Sequence, residues 1–163
     1  MQTEIEAKWL RANFDEIRKT LNEIGATLIQ RERSMLRKNF DYEDGRLEKI
    51  GGWVRVRNES DQVTLSYKQL NDRTLHGTKE VTVVVDDYRS TCDFLEAIGL
   101  VNKSVQETKR ESWEYDGAEI ELDTWPWIPE FVEIEAKDED KLYKVAKKLG
   151  LDIKKALHGS VET

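Results

Sequence analysis

Cysteine is almost missing from this chain, and the single thiol, Cys92, excludes an internal disulfide and fits a reducing compartment. Histidine is scarce as well. With only His76 and His158 there is no Cys/His zinc pattern. No apolar run is long enough to span a bilayer, and none at the N-terminus resembles a signal peptide, so the cytoplasm is the expected compartment and no membrane partner is expected. Low-complexity tracts are absent, which argues against disorder. Positive charge is in deficit. A net charge of −7 argues against non-specific binding to nucleic acid, which needs a basic surface. It leaves room for a small anionic ligand, because basic residues can be concentrated locally and metal ions can bridge carboxylate to phosphate.

What is present is charge in quantity (36% of residues) spread among aliphatic and aromatic positions over 163 residues, enough for one domain with a real core. Apolar spacing predicts three helices. The first runs from about Phe14 to Ile24, with Phe14, Ile17, Leu21 and Ile24 on one stripe. Asn13 is its N-cap, Glu16 nearly completes a capping box, and Gly25 ends it. The second lies near Tyr88 to Ile98, with Cys92 as a buried structural thiol, and the third near Glu139 to Leu149.

Between the helices lie about eight strands, mostly antiparallel because their connections are short. Asp44-Gly45 and Asp116-Gly117 are hairpin signals, and Trp125-Pro126-Trp127-Ile128-Pro129 is a stiff connection between the last pair. A faint repeat runs through the chain: strand, helix ending in Ile-Gly, charged strand, aromatic, Asp-Gly turn. It occurs from Glu4 to Gly45 and again from Glu80 to Gly117. Two such halves of an antiparallel sheet, each with a helix outside, suit an α+β protein whose sheet closes into a barrel.

The charges are arranged at the period of a strand. In Glu4-Ile5-Glu6-Ala7-Lys8 the two carboxylates and the ammonium share one face, and the pattern returns as Glu133-Ile134-Glu135-Ala136-Lys137. Trp53, Arg55 and Arg57 lie opposite Val54 and Val56, and Thr64, Ser66 and Lys68 lie opposite Leu65 and Tyr67. Glu119, Glu121 and Asp123 lie opposite Ile120 and Leu122. For any one strand this pattern ordinarily marks a solvated face. Two carboxylate-pair strands, a third acidic strand, an arginine pair and a strand-centred lysine together point elsewhere. Three amphipathic helices need apolar surface to cover, so the apolar faces are expected outward beneath them and the charged faces inward around a tunnel.

The chemistry of such an interior is coherent. Glu4, Glu6, Asp123, Glu133 and Glu135 supply hard oxygen ligands for Mg²⁺ or Mn²⁺. Arg55 and Arg57 offer planar forks for phosphate oxygens, while Lys8 and Lys68 act as point charges. The aromatic pair Trp125 and Trp127 is expected to pack against the third helix, with a place at the barrel mouth as the alternative.

This constellation resembles the CYTH superfamily, the triphosphate tunnel metalloenzymes, which includes class IV adenylyl cyclases, thiamine triphosphatases and inorganic triphosphatases. The family's Glu-x-Glu-x-Lys signature stands as Glu4, Glu6 and Lys8, and its Arg-x-Arg strand as Arg55-Val56-Arg57. Its next lysine matches Lys68, and its late acidic elements match Asp123 and Glu133-x-Glu135. Two departures stand out. Where many members carry Lys-x-Arg, Arg110 fits the arginine but Thr108 occupies the lysine position, and the middle-strand acidic pair is reduced to Glu80 with Thr82. Both bear on the choice of substrate.

The resemblance implies one CYTH-like domain over residues 1–163: a closed eight-stranded antiparallel barrel with flanking helices and a triphosphate in its tunnel. It implies one metal held by Glu4, Glu6, Glu133 and Glu135, and a second near Asp123. Lys8, Arg55, Arg57, Lys68 and Arg110 would bind the triphosphate. Lys68, Lys8 and Arg57 are the catalytic candidates, Lys68 as an electrostatic clamp or a base. The expected activity is hydrolysis of inorganic triphosphate or a small organic triphosphate. Cyclic AMP formation from ATP is the alternative, and a non-catalytic polyphosphate- or nucleotide-binding module is the second. The oligomeric state stays open, a homodimer included.

Overall fold

The structure, a computed structural model, describes residues 1–159. Its elements run β1 (Gln2–Glu4), β2 (Glu6–Leu10), α1 (Phe14–Glu23), β3 (Thr27–Tyr42), β4 (Gly52–Asn58), β5 (Val63–Leu70), β6 (Thr78–Val85), α2 (Tyr88–Ala97), β7 (Leu100–Tyr115), β8 (Ala118–Trp125), β9 (Ile128–Glu135) and α3 (Glu139–Lys148). The helices start where short polar side chains can satisfy the free N–H groups of a first turn. Asn13 Oδ1 accepts from the Glu16 amide at 3.2 Å, and Asp87 and Asp138 cap α2 and α3 in the same way at 2.7 and 2.8 Å.

All strand pairs are antiparallel, in the order β1-β6-β5-β4-β3-β7-β8-β9-β2. The two outermost members are consecutive in the chain. The N-terminal strand, expected as one, divides at Ile5: Glu4 pairs with Thr78 of β6, whereas Glu6 pairs with Glu135 of β9. Among the described residues nine strands therefore stand where eight were expected, and the same five-residue segment draws the two sheet edges together into a nearly closed barrel. The two halves of the faint repeat each contain a ten-residue helix followed by a sixteen-residue strand, and those long strands, β3 and β7, pair with each other.

The hydrophobic core lies outside the barrel wall. Ala7, Trp9, Ile120, Leu122, Val132 and Ile134 point away from the axis and meet Phe14, Ile17 and Leu21 of α1 and Leu142, Val145 and Ala146 of α3. Each fully buried side chain of this size contributes roughly 1.5–3 kcal/mol, and this packing holds the charged interior in shape. A smaller cluster under α2 joins Cys92 and Leu95 to Phe40, Val56 and Leu100, so the expected buried thiol is observed. Along β6 the cover is incomplete, with Val81 and Val83 each half exposed. The tight approach to β4 explains one glycine: Gly51 has φ +76°, and a Cβ there would lie 2.2 Å from the Leu70 carbonyl oxygen.

Candidate functional site: a charged tunnel

Strand parity turns the charged faces inward around a cavity of about 1330 Å³. Glu4, Glu6, Lys8, Arg55, Arg57, Lys68, Arg110, Asp123, Glu133 and Glu135 all line it, so every site residue expected from the sequence is brought to one space. Glu4, Glu6, Lys8, Arg55 and Asp123 are buried. Charge of this density away from water is costly unless it is paired or holds a ligand.

The carboxylates gather on β1, β2, β8 and β9. One carboxylate oxygen from each of Glu4, Glu6 and Glu135 lies within 4.8 Å of the others. Burial pushes Glu4 up to about 7 and Glu135 up to about 8, with Glu133 repelling both. Glu6 is raised by burial and by Glu133. Three hard oxygen donors that crowd one another and resist ionisation fit a divalent cation, which would relieve both.

The other two acids expected as ligands, Glu133 and Asp123, also have cationic partners. Glu133 faces Lys8 at 3.4 Å, and Lys8 also donates to Glu6 at 3.0 Å. Burial opposes ionisation of Glu133, but Lys8, Arg110 and Lys68 outweigh it and hold the group well below the usual carboxylate range. Asp123 accepts both arms of the Arg110 fork, at 2.7 and 2.9 Å. Lys68 bridges the walls, 3.3 Å from Glu4 and 3.7 Å from Glu80.

Arginines occupy the facing strands β3, β4 and β7. Arg57 meets Glu59 at 3.3 Å. Burial and the neighbouring Arg55 and Arg110 still lower it to about 9. Among the described residues Arg55 donates only to Ser66, at 3.5 Å.

Sequence reasoning missed three contributors and gave a fourth, Glu121 on the expected acidic face, no role. Arg33 and Arg37 extend the basic wall along β3, Glu59 pairs with Arg57 just past the end of β4, and Glu121 contacts Ser112 and Arg110. Glu59 continues the parity of Arg55 and Arg57, whereas the parity shared by Arg33, Arg37 and Asn39 is masked by charges on the other face of β3 and by its register shifts. The two departures from the family pattern are visible too: Thr108 is buried and accepts a hydrogen bond from Arg37, and Thr82 is bonded to Ser66 at 2.7 Å. The expected packing of Trp125 and Trp127 on α3 is not observed. Trp125 lines the tunnel with Arg37 over its ring, and Trp127 is fully exposed in the β8–β9 turn at φ 69°. That left-handed residue steers the turn so that only the first ring points inward.

An antiparallel barrel with its hydrophobic core outside and opposed acidic and basic walls inside defines a class of charged-tunnel protein. The chain belongs to the CYTH domain family, whose sequence model matches residues 2–162. Solved structures share the fold at low sequence identity. A proposed adenylate cyclase from Vibrio parahaemolyticus has a TM-score of 0.85 at 17% identity, covering 99% of this chain and 96% of that one. A protein of Pyrococcus horikoshii has a TM-score of 0.78 at 20% identity, covering 94% and 93%. A proposed adenylyl cyclase from Hippeastrum with dominant triphosphatase activity has a TM-score of 0.62 at 15% identity, covering 98% and 92%. No curated protein matches the chain in sequence. Among the described residues no helix is long and apolar enough to cross a membrane.

Proposed function

We propose that this protein hydrolyses inorganic triphosphate or a small organic triphosphate with the help of a divalent metal, Mg²⁺ or Mn²⁺. The observation that carries the reading is the opposition, across one cavity, of the Glu4–Glu6–Glu135 group to a wall of buried arginines. Glu4, Glu6 and Glu135 would hold the metal, with Glu133 and Asp123 beside them. Bound there, a divalent ion supplies Lewis-acid polarisation of phosphoryl oxygens and charge that keeps the carboxylates ionised. Arg55, Arg57 and Arg110 donate to non-bridging oxygens, and Lys8 and Lys68 add point charge. Lys68, between Glu4 and Glu80, is a clamp in this reading. As the P–O bond to the leaving phosphate breaks, charge builds on oxygens that these cations already face, so most of the acceleration comes from positioning and electrostatics.

Hydrolysis is favoured over cyclisation by the aromatics at the cavity. Trp125 already carries a guanidinium on one face at 4.5 Å, and Trp127, though fully exposed, does not line the cavity, so the tryptophan pair does not form a stacking slot for a nucleobase inside the tunnel. The test is incubation with Mg²⁺ or Mn²⁺ and, in turn, inorganic triphosphate, thiamine triphosphate and ATP. Orthophosphate from triphosphate is the expected product. Cyclic AMP with pyrophosphate from ATP would replace the reading with a cyclase, and binding without turnover would replace it with a binding module.

A further inference from the structure

Arg37 is the guanidinium in this tunnel whose environment is least explained by the protein itself. It is buried, 7% exposed, yet among the described residues no carboxylate lies within ion-pairing distance of it. Burial and repulsion from Arg57, Arg55 and Arg110 lower its pKa well below the ordinary range, and the attraction of Asp123 offsets them only in part. Its Nε has no hydrogen-bond partner, and its one bond is from Nη2 to Thr108 Oγ1 at 3.3 Å. In register it sits directly across from Arg57, a like-charge pairing that destabilises a sheet when nothing neutralises it. The Trp125 ring, 4.5 Å from the guanidinium carbon, covers one face of the fork and leaves its edge to the cavity. A planar cation held by stacking, with an unfilled donor and no carboxylate in ion-pairing distance among the described residues, is a receptor for an anion.

Register places it along the tunnel. Arg57, beside Arg37, faces Thr64 on β5, while Lys68, which contacts Glu4, lies four residues further along that strand, about 13 Å at the usual rise. Arg37 therefore stands toward the opposite end of the cavity from the carboxylate group. Resting on the triphosphate reading above, we infer that Arg37 binds the phosphate farthest from the carboxylates and so makes the site selective for chains of three phosphates over pyrophosphate.

The experiment is calorimetric titration of the full chain, without metal, with inorganic triphosphate and with pyrophosphate, for wild type and Arg37→Gln, alongside thermal melts. The expected result is a fall of about ten- to a hundredfold in triphosphate affinity, the usual cost of a lost charge-assisted contact. Pyrophosphate affinity should change less than twofold. The ligand-free variant should melt at or above the wild-type temperature, because like-charge repulsion is removed, whereas a residue with a merely structural role would lower it. Arg37→Met, which keeps the bulk, should behave the same and serves if the glutamine variant does not fold. Unchanged triphosphate affinity, or equal losses for both ligands, overturns the assignment. Wild-type protein that turns over triphosphate beside a variant with unaltered binding overturns this inference alone. Wild-type protein that binds neither ligand overturns it together with the functional reading.

Discussion

The carboxylate wall and the arginine wall of the tunnel bury charge by different means. On the acidic side the groups can discharge by holding protons: Glu4 and Glu121 sit near 7 and Glu135 near 8, and two interleaved lysines, Lys8 and Lys68, neutralise part of what is left. A guanidinium gives up its proton far less readily. On the basic side, among the described residues, Arg57 and Arg110 have a close carboxylate, whereas the side chains bonded to Arg37 and Arg55 are hydroxyls. The acidic wall is thus a site that protons can fill until a metal displaces them, whereas the basic wall stays short of negative charge until an anion arrives. In the proposed reading, each wall would take one half of a metal–triphosphate complex.

The strongest way to break this comparison is to disarm the acidic wall. Glu6→Gln removes a proposed metal ligand at nearly constant size, and turnover of triphosphate should fall by about a thousandfold or more, since metal-borne charge stabilisation amounts to several kcal/mol. Phosphate release checks the rate, and an unchanged circular dichroism spectrum checks the fold. Arg57→Ala probes the other wall and should lower kcat/KM by about a hundred- to a thousandfold. Near-normal rates in both variants would dissolve the site.

A subtler difference lies in pH. Carboxyls with raised pKa bind more protons folded than unfolded, so their contribution to stability is complete below the ordinary carboxylate range and declines as pH rises through about 7 to 8. Metal-free protein should therefore melt at lower temperature at pH 8.5 than at pH 6, roughly, and saturating Mn²⁺ should raise the melting temperature more at the higher pH. Glu135→Gln should flatten that slope; an unaltered slope would remove Glu135 from the explanation. The smallest effect is expected outside the tunnel. Trp127→Ala, at a fully exposed turn position, should leave kcat/KM unchanged and shift stability by no more than about 0.5 kcal/mol by denaturant melt.

Much of this contrast was legible in the sequence because strand parity is unforgiving. Once Glu4, Glu6 and Lys8 alternate with Ile5, Ala7 and Trp9, one face must be charged throughout, and three amphipathic helices decide which face looks out. The split at Ile5 left no trace in that pattern, since exchanging partners from β6 to β9 changes hydrogen bonding without changing parity. Arg33 and Arg37 were hidden for another reason. β3 carries charges on both faces and shifts register at Leu28/Gln30, Gln30/Arg33 and Asn39/Phe40, so no simple alternation singles out its inward side. Glu59 lies one residue beyond its strand, where periodicity is not normally followed. Trp125 and Trp127 look equivalent as letters and are separated only by the left-handed backbone of the second.

The most direct measurement is a diffraction experiment on crystals grown with inorganic triphosphate and Mn²⁺, using the manganese anomalous signal to locate the ion. The account predicts metal among Glu4, Glu6 and Glu135, with the phosphate chain running from it toward Arg55, Arg57 and Arg37 in the same cavity. Manganese elsewhere on the protein, or a triphosphate lying on the outer surface with the tunnel arginines untouched, would contradict it.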